Sequence, residues 1–273
     1  MIEKIKDLIL DMDGVLWRGE TAMPGLPDFF NTLRELDLGF ILATNNATKS
    51  ADEYKEKLAN LGVDIPASLI LTSGETTASY LAGEYSAGTA VYVVGTRSLQ
   101  TAIRAKGFVI VDPEQVKNGS TAELVVVGFT PNVVYEELAM GSLLVHNGAR
   151  FIGTNPDASF PTELGPLPGA GALLAVISTA TGIEPTVFGK PGTALFEEAV
   201  RRLDSCHENT AMVGDRLGTD IAGAKNAGLA SIMLLSGVSS RKDLLESDIQ
   251  PDYVFADISE LARELKATNK TIL

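Results

Sequence analysis

Short apolar runs alternate with amphipathic, helix-length stretches over the first eighty and the last ninety residues of the chain. That alternation is the signature of a parallel sheet with crossover helices. Leu8, Ile9 and Leu10 form the first run, and residues 40–43 the second. A first helix is predicted from residues 24–27 to Leu38, stopped by Gly39; a second covers residues 50–61, ended by Gly62; a third begins near Gly74. Residues 19–25 read as a loop. The fold expected is α/β: a doubly wound, Rossmann-like parallel-sheet core.

Lys190 follows Thr44 by about 146 positions, far more than the ~10–12 residues a crossover needs. An inserted domain is therefore expected. It has its own apolar runs at residues 91–95, 124–129 and 150–154, and helical patterns near 97–106, 133–146 and 169–181. The division predicted is a discontinuous core of residues 1–80 and 187–273 with an α/β insert at 81–186.

Composition narrows the setting more than the chemistry. The chain has 273 residues, 45% of them hydrophobic, enough for a large core, and a formal net charge of −13. That charge argues against a general nucleic-acid or anionic-membrane surface. Cys206 is the single cysteine, so no intramolecular disulfide can form, which suits a reducing cytoplasm. No run approaches the ~18 apolar residues of a membrane span, and the N-terminal run is short for a signal peptide. A soluble cytoplasmic protein is expected.

The chemistry lies where the apolar runs end. In parallel α/β sheets ligands bind at the carboxyl ends of strands, and Leu10 is followed there by Asp11 and Asp13. Residues i and i+2 of an extended segment project to one side. At roughly 4 Å and an effective dielectric near 20, two such charges repel by about 4 kcal/mol, so the pair shares a proton or holds a cation. Residues 211–213 lead likewise into Gly214 and Asp215, with Asp220 close behind. Two acidic strand ends about 200 residues apart point to one divalent site. Mg²⁺ fits best, because it is commonly held by one or two carboxylates, waters and substrate phosphate oxygens.

Two further runs supply complementary groups. Residues 40–43 lead into Thr44, Asn45 and Asn46, hydroxyl and amide donors suited to phosphate oxygens. Val187 and Phe188 lead into Lys190, a point charge of the kind lysine brings to phosphates. Other features carry less. Gly189 and Lys190 precede Pro191 and do not finish a Walker A loop, residues 169–171 lack a dinucleotide fingerprint's third glycine, and His146, His207 and Cys206 lie outside every motif. Trp17, just after the first motif, is placed either beside the site or in ordinary burial, and ordinary burial is the reading preferred.

Through DMDGV at 11–15, Thr44, Lys190 and GDRLGTD at 214–220, the chain resembles the haloacid dehalogenase superfamily of phosphatases. Through residues 44–46, 154–157, 168–177 and 189–191 it is similar to the subgroup of NagD and the para-nitrophenylphosphate and phosphoglycolate phosphatases. Val15 stands where many members have Thr. The resemblance implies Asp11 as nucleophile, Asp13 as general acid and base, and Thr44 and Lys190 as phosphate binders. It implies Mg²⁺ on Asp11, the Asp13 backbone carbonyl and Asp215, with Asp220 supporting the acidic loop. It also implies that the insert is a cap that helps choose the substrate. Thr154, Asn155 and Asp157 are then candidate cap contacts, against the plainer reading that Asn155 and Asp157 build a turn around Pro156.

The chemistry follows from the residues as well. A phosphomonoester dianion repels an anionic nucleophile, so charge must be neutralised before a carboxylate attacks; metal and lysine do this in phosphoryl transfer. An aspartyl-phosphate divides one hard step into two. The expected activity is Mg²⁺-dependent hydrolysis of a small phosphorylated metabolite, with neither nucleic acid nor membrane as partner and with a homodimer compatible with the resemblance. The alternatives are a phosphoacceptor signalling module, a phosphomutase and a dehalogenase; the last needs neither Asp13 nor a metal.

Overall fold

The structure is a computed structural model that describes residues 2–162 and 165–270. Within them the chain forms two compact units: residues 2–44, 51–71 and 190–270, and residues 45–50 with 72–162 and 165–189.

The first unit is built on a six-stranded sheet. Its order across the sheet is Tyr253–Phe255, Ala230–Leu234, Thr210–Gly214, Asp7–Leu10, Gly39–Thr44, Ile70–Thr72. Counted along the chain this is 3-2-1-4-5-6, the doubly wound order whose switch point lies between strands 1 and 4. Asp7–Leu10 pairs in parallel with Thr210–Gly214 on one side and Gly39–Thr44 on the other.

The first strand reads as an unbroken apolar run because both of its faces are covered. Leu8 and Leu10 pack with Phe29, Phe30 and Leu33 of helix Leu26–Glu35 and with Ile258 and Leu261 of helix Ile258–Lys270. Ile9 packs on the opposite side with Leu195, Phe196 and Ala199 of helix Ala194–Arg202. All three aliphatics are fully buried, each worth about 1.5–3 kcal/mol relative to exposure. These contacts hold fixed the strand end from which Asp11 projects.

Some local expectations shift. The first helix ends at Glu35, short of Leu38. Its stop is Asp37, at φ 52°, with the Leu38 N–H donating back to the Leu33 carbonyl, and Gly39 begins the next strand. This is the Schellman arrangement with aspartate in the left-handed position. The segment 19–25 contains strand Thr21–Ala22, paired antiparallel with Trp17–Arg18. The run at Val187 is also not a strand of the first sheet. Thr186–Val187 pairs with Arg150–Gly153 in the other unit, so Lys190 does not follow a strand of its own sheet.

The second unit has a five-stranded sheet ordered Thr186–Val187, Arg150–Gly153, Leu124–Val127, Ala90–Val94, Val109–Val111. Tyr92, Val94, Val125, Val127 and Phe151 pack with Leu144 and Val145 of helix Tyr135–His146 and with Leu173, Leu174 and Ile177 of helix Ala170–Thr181. Sequence reading found most of these elements but not strand Val109–Val111, helix Pro113–Lys117, or the hairpin of Ser159–Thr162 and Gly165–Pro168. No described helix is long and apolar enough to cross a membrane.

Candidate active site

Asp11 is the first residue beyond strand Asp7–Leu10, and its backbone N–H still donates to the Val213 carbonyl. The chain then turns back: the Met12 carbonyl accepts from Val15 and Leu16, and Gly14 takes φ 89°. Glycine is required there twice over, by that angle and because a Cβ would run into the Asp215 carboxylate. Asp11 is buried, whereas Asp13, two residues on, is exposed.

Lys190 is buried among acids. Its Nζ donates to Asp11 Oδ1 at 2.6 Å, pairs with Asp220 Oδ1 at 2.7 Å, and donates to the Ala43 carbonyl at 3.2 Å. Burial alone would strip its proton, but Asp11 and Asp220 outweigh it and hold Lys190 above the usual lysine range. For Asp11 burial dominates and raises its pKa well above a normal carboxylate's; Asp220 and Asp215 push the same way, and Lys190 opposes them.

Asp215 and Asp220 follow strand Thr210–Gly214. Asp220 Oδ2 accepts the backbone N–H groups of Asp215 and Arg216, at 3.2 and 3.0 Å, folding the loop over itself. The turn Leu217–Ile221 is a π-helical one, a form frequent at functional sites. Asp215 is fully buried, and its Oδ2 accepts from the Val238 N–H at 2.6 Å. Its Oδ1 has no hydrogen-bond partner among the described residues. Burial, then the charge of Asp220, pushes Asp215 up to about 6.

One carboxylate oxygen each from Asp11, Asp215 and Asp220 lie within 4.8 Å of one another. A buried carboxylate oxygen without a partner costs free energy unless something positive meets it. Clustered hard oxygen donors suit Mg²⁺ or Ca²⁺. The residues present therefore fit a divalent cation.

Thr44 ends strand Gly39–Thr44, buried, and its hydroxyl hydrogen-bonds with Tyr54. Thus Asp11, Asp13, Thr44, Lys190, Asp215 and Asp220 all belong to the first unit. Asn45, Asn46, Thr154, Asn155 and Asp157 belong to the second. There Asn46 Oδ1 accepts from the Thr48 N–H and hydroxyl, at 2.9 and 2.7 Å. Asn155 Nδ2 donates to the Asn45 carbonyl at 2.8 Å and to Thr154 Oγ1 at 3.3 Å, and Asn155 Oδ1 accepts from the Asp157 N–H at 3.1 Å. Asn45 Nδ2 donates to Asp157 Oδ1 at 3.3 Å. Asn46 and Asn155 thus each close a local turn of the kind Asx side chains make.

Residues 8–109 match the family described as haloacid dehalogenase-like hydrolase, and residues 187–261 match a HAD-hydrolase-like family. An acid sugar phosphatase of Staphylococcus saprophyticus is 36% identical, over 97% of this chain and 100% of the relative. The crystal structure of a 4-nitrophenylphosphatase from Thermotoga maritima is 36% identical, with a TM-score of 0.90 over 96% of this chain and 98% of that one. A glycerol phosphate phosphatase from Mycobacterium tuberculosis, crystallised with magnesium, is 35% identical, with a TM-score of 0.88 over 97% of this chain and 79% of that one. The chain belongs to the haloacid dehalogenase-like hydrolases.

In this haloacid dehalogenase-like hydrolase several supporting groups carry no sequence signal. Residues 236–239 wrap the acidic loop: Val238 holds Asp215, the Ser239 N–H donates to the Asp215 carbonyl at 3.0 Å, and Ser239 Oγ accepts from the Leu217 N–H at 3.1 Å. A Cβ on Gly237 would collide with the Asp215 carboxylate. Nothing in the string LSGVSS marks it as part of a site. Asp220, expected only to support its loop, contributes a carboxylate to the cluster and an ion pair to Lys190.

Proposed function

We propose that this phosphatase of the haloacid dehalogenase superfamily hydrolyses small phosphomonoesters with Mg²⁺ through an aspartyl-phosphate on Asp11. The observation that carries the reading is Lys190, buried between Asp11 and Asp220, two of the three clustered carboxylates, the third being Asp215, whose Oδ1 has no hydrogen-bond partner among the described residues. Asp11, the Asp13 backbone carbonyl and Asp215 would hold the metal, with Asp220 supporting them. Bound there, Mg²⁺ supplies positive charge against the repulsion between a carboxylate and a phosphate dianion.

The chain's own residues do the rest. Lys190 and Thr44, with Asn45 and Asn46, bind phosphate oxygens. An Asp11 oxygen bonds to phosphorus while the bond to the leaving oxygen breaks; that oxygen keeps the electron pair and takes a proton from Asp13. Asp13, now a carboxylate, removes a proton from water as the water oxygen bonds to phosphorus. The acyl-phosphate bond breaks, its electron pair returns to Asp11, and inorganic phosphate leaves. The second unit, with Thr154, Asn155 and Asp157, is assigned the choice of substrate. The relatives named for acid sugar, 4-nitrophenyl and glycerol phosphate hydrolysis support a small phosphomonoester, and the single cysteine suits the cytoplasm.

Asp11→Asn tests this. The variant should fold, lose turnover and form no hydroxylamine-sensitive acyl phosphate during a rapid-quench reaction in which the parent does. Unchanged turnover would reject Asp11 as nucleophile.

A further inference from the structure

Trp17 is fully buried, yet its one polar atom points to an exposed residue of the site. Indole Nε1 donates to Asp13 Oδ1 at 2.7 Å. The backbone closes the same turn, with the Gly14 N–H donating to the Trp17 carbonyl at 2.8 Å and Asp13 bridging to Trp17. Filling the core needs no such bond, since a phenylalanine would fill most of the same space.

The ring is held from outside as well. Tyr54, on helix Ala51–Asn60, stacks on it with centroids 6.2 Å apart and planes 18° apart. Lys57, one helical turn on, sets its ammonium 4.7 Å from the ring centroid and donates to the Gly19 carbonyl at 2.6 Å. Tyr54 also hydrogen-bonds with Thr44. One packed group thus runs from the threonine at the end of the second strand to the carboxylate after the first.

We infer that Trp17 is a positioning residue that fixes Asp13 so that Oδ2 is the oxygen carrying and delivering the proton; this rests on the acid/base role proposed for Asp13. An indole N–H can only donate. Asp13 Oδ1 therefore accepts from it whether the carboxyl is protonated or not, which leaves the proton to Oδ2. An exposed aspartate without that tether samples several rotamers. A held one meets the leaving oxygen already oriented, and orientation is a large part of what a catalytic group contributes.

The test separates proton delivery from mere support by leaving group. para-Nitrophenolate departs without a proton, whereas the alkoxide of glycerol phosphate needs one. Trp17→Phe keeps a stacking ring and removes the N–H. It should slow rapid-quench phosphorylation by glycerol phosphate about tenfold or more, a part of the roughly 10²–10⁴ that general acid help supplies in full. With para-nitrophenyl phosphate the loss should be under about threefold, and KM should stay near the parent's for both. Asp13→Asn should show the same split more strongly, and the double variant should match Asp13→Asn alone, as residues acting through one group do. Equal losses on both esters in Trp17→Phe, beside a clear split in Asp13→Asn, would overturn the positioning role and leave the acid/base reading standing. No split in Asp13→Asn would remove both. If Trp17→Phe folds poorly, the chain's single tryptophan allows biosynthetic replacement by the sulfur isostere benzothienylalanine, which keeps the ring shape without the N–H and faces the same criteria.

Discussion

Lys190 Nζ lies 2.6 Å from Asp11 Oδ1, and both side chains are buried, with 3% and 11% of their surface exposed. The proposed nucleophile is thus joined in the core to a positive charge that arrives from 179 residues away in sequence. Asp220 shares that charge from the other side. The cluster tolerates three carboxylates because a cation sits among them.

Lys190→Met should therefore cost more than activity. Removing one partner of a buried ion pair typically costs about 3–5 kcal/mol, and here it leaves two anions facing a third. Thermal unfolding without metal should shift to lower temperature, and Mg²⁺ should recover part of the shift by binding the folded state. Turnover should fall by about 10²-fold or more, the scale of losing one charge-stabilising group. An unchanged unfolding temperature in chelator would show that the pair contributes no stability.

Chelation of the parent should abolish hydrolysis, and Mg²⁺ should restore it. Ca²⁺, larger and less strict in geometry, should support less turnover. Asp215→Asn keeps the side chain's shape but removes the charge of the partnerless Oδ1, so it should raise the Mg²⁺ concentration needed for half-maximal rate. A full rate in excess chelator, with metal content verified as negligible, would sink the metal assignment.

Gly237→Ala offers a less obvious route to the same site. A single methyl would push on the Asp215 carboxylate, and changes beside metal ligands commonly weaken affinity by about 10–100-fold. Titrating activity with Mg²⁺ should show that shift while the circular dichroism spectrum stays unchanged. A parent-like titration would mean that the loop moves aside freely.

Asp252 makes a stability prediction away from the site. Its Oδ2 accepts from the backbone N–H and the hydroxyl of fully buried Ser231, at 2.8 and 2.6 Å, joining the last two strands of the first sheet. Burial works against its charge, but the Ser231 bonds and Lys225 win and hold its pKa below the usual carboxylate value. A depressed folded pKa adds stability that is present above the unfolded value, near 3.9, and lost as pH falls through the folded one. Asp252→Ala should cost about 1–3 kcal/mol at pH 7, because buried Ser231 loses its acceptor. The gap between variant and parent should narrow as pH drops below about 4, which denaturant titrations at several pH values would show.

Much of the candidate site was legible because parallel strands covered on both faces read as apolar runs, and the residues ending them are conspicuous. Asp11, Thr44 and Asp215 stand out as candidates that way, and the structure brings Asp11 and Asp215 into one cluster. Lys190 was found for a partly mistaken reason, since the run before it pairs with Arg150–Gly153 in the other unit; which sheet a two-residue strand joins is a long-range matter. Asp220 was underrated because its placement depends on a π-helical turn that brings it back over the backbone of Asp215. The hairpin at Ser159–Thr162 and Gly165–Pro168 was missed because Pro161, Pro166 and Pro168 weaken any strand signal. Tyr54, Lys57 and Trp17 meet through lateral packing between a helix and a small hairpin, and residue spacing holds no trace of that.

The place of Asp7–Leu10 in the sheet has a consequence during synthesis. This strand is made about 200 residues before one of its two neighbours, Thr210–Gly214. At about 5–20 residues per second, the ribosome needs roughly 10–40 s to make the intervening stretch. Until then, three consecutive aliphatics that end fully buried have an open flank of unpaired amides and carbonyls, the form of edge most prone to joining other chains. Fragments that stop before residue 210 should therefore aggregate, and the growing chain depends on whatever covers that flank until its late partner emerges.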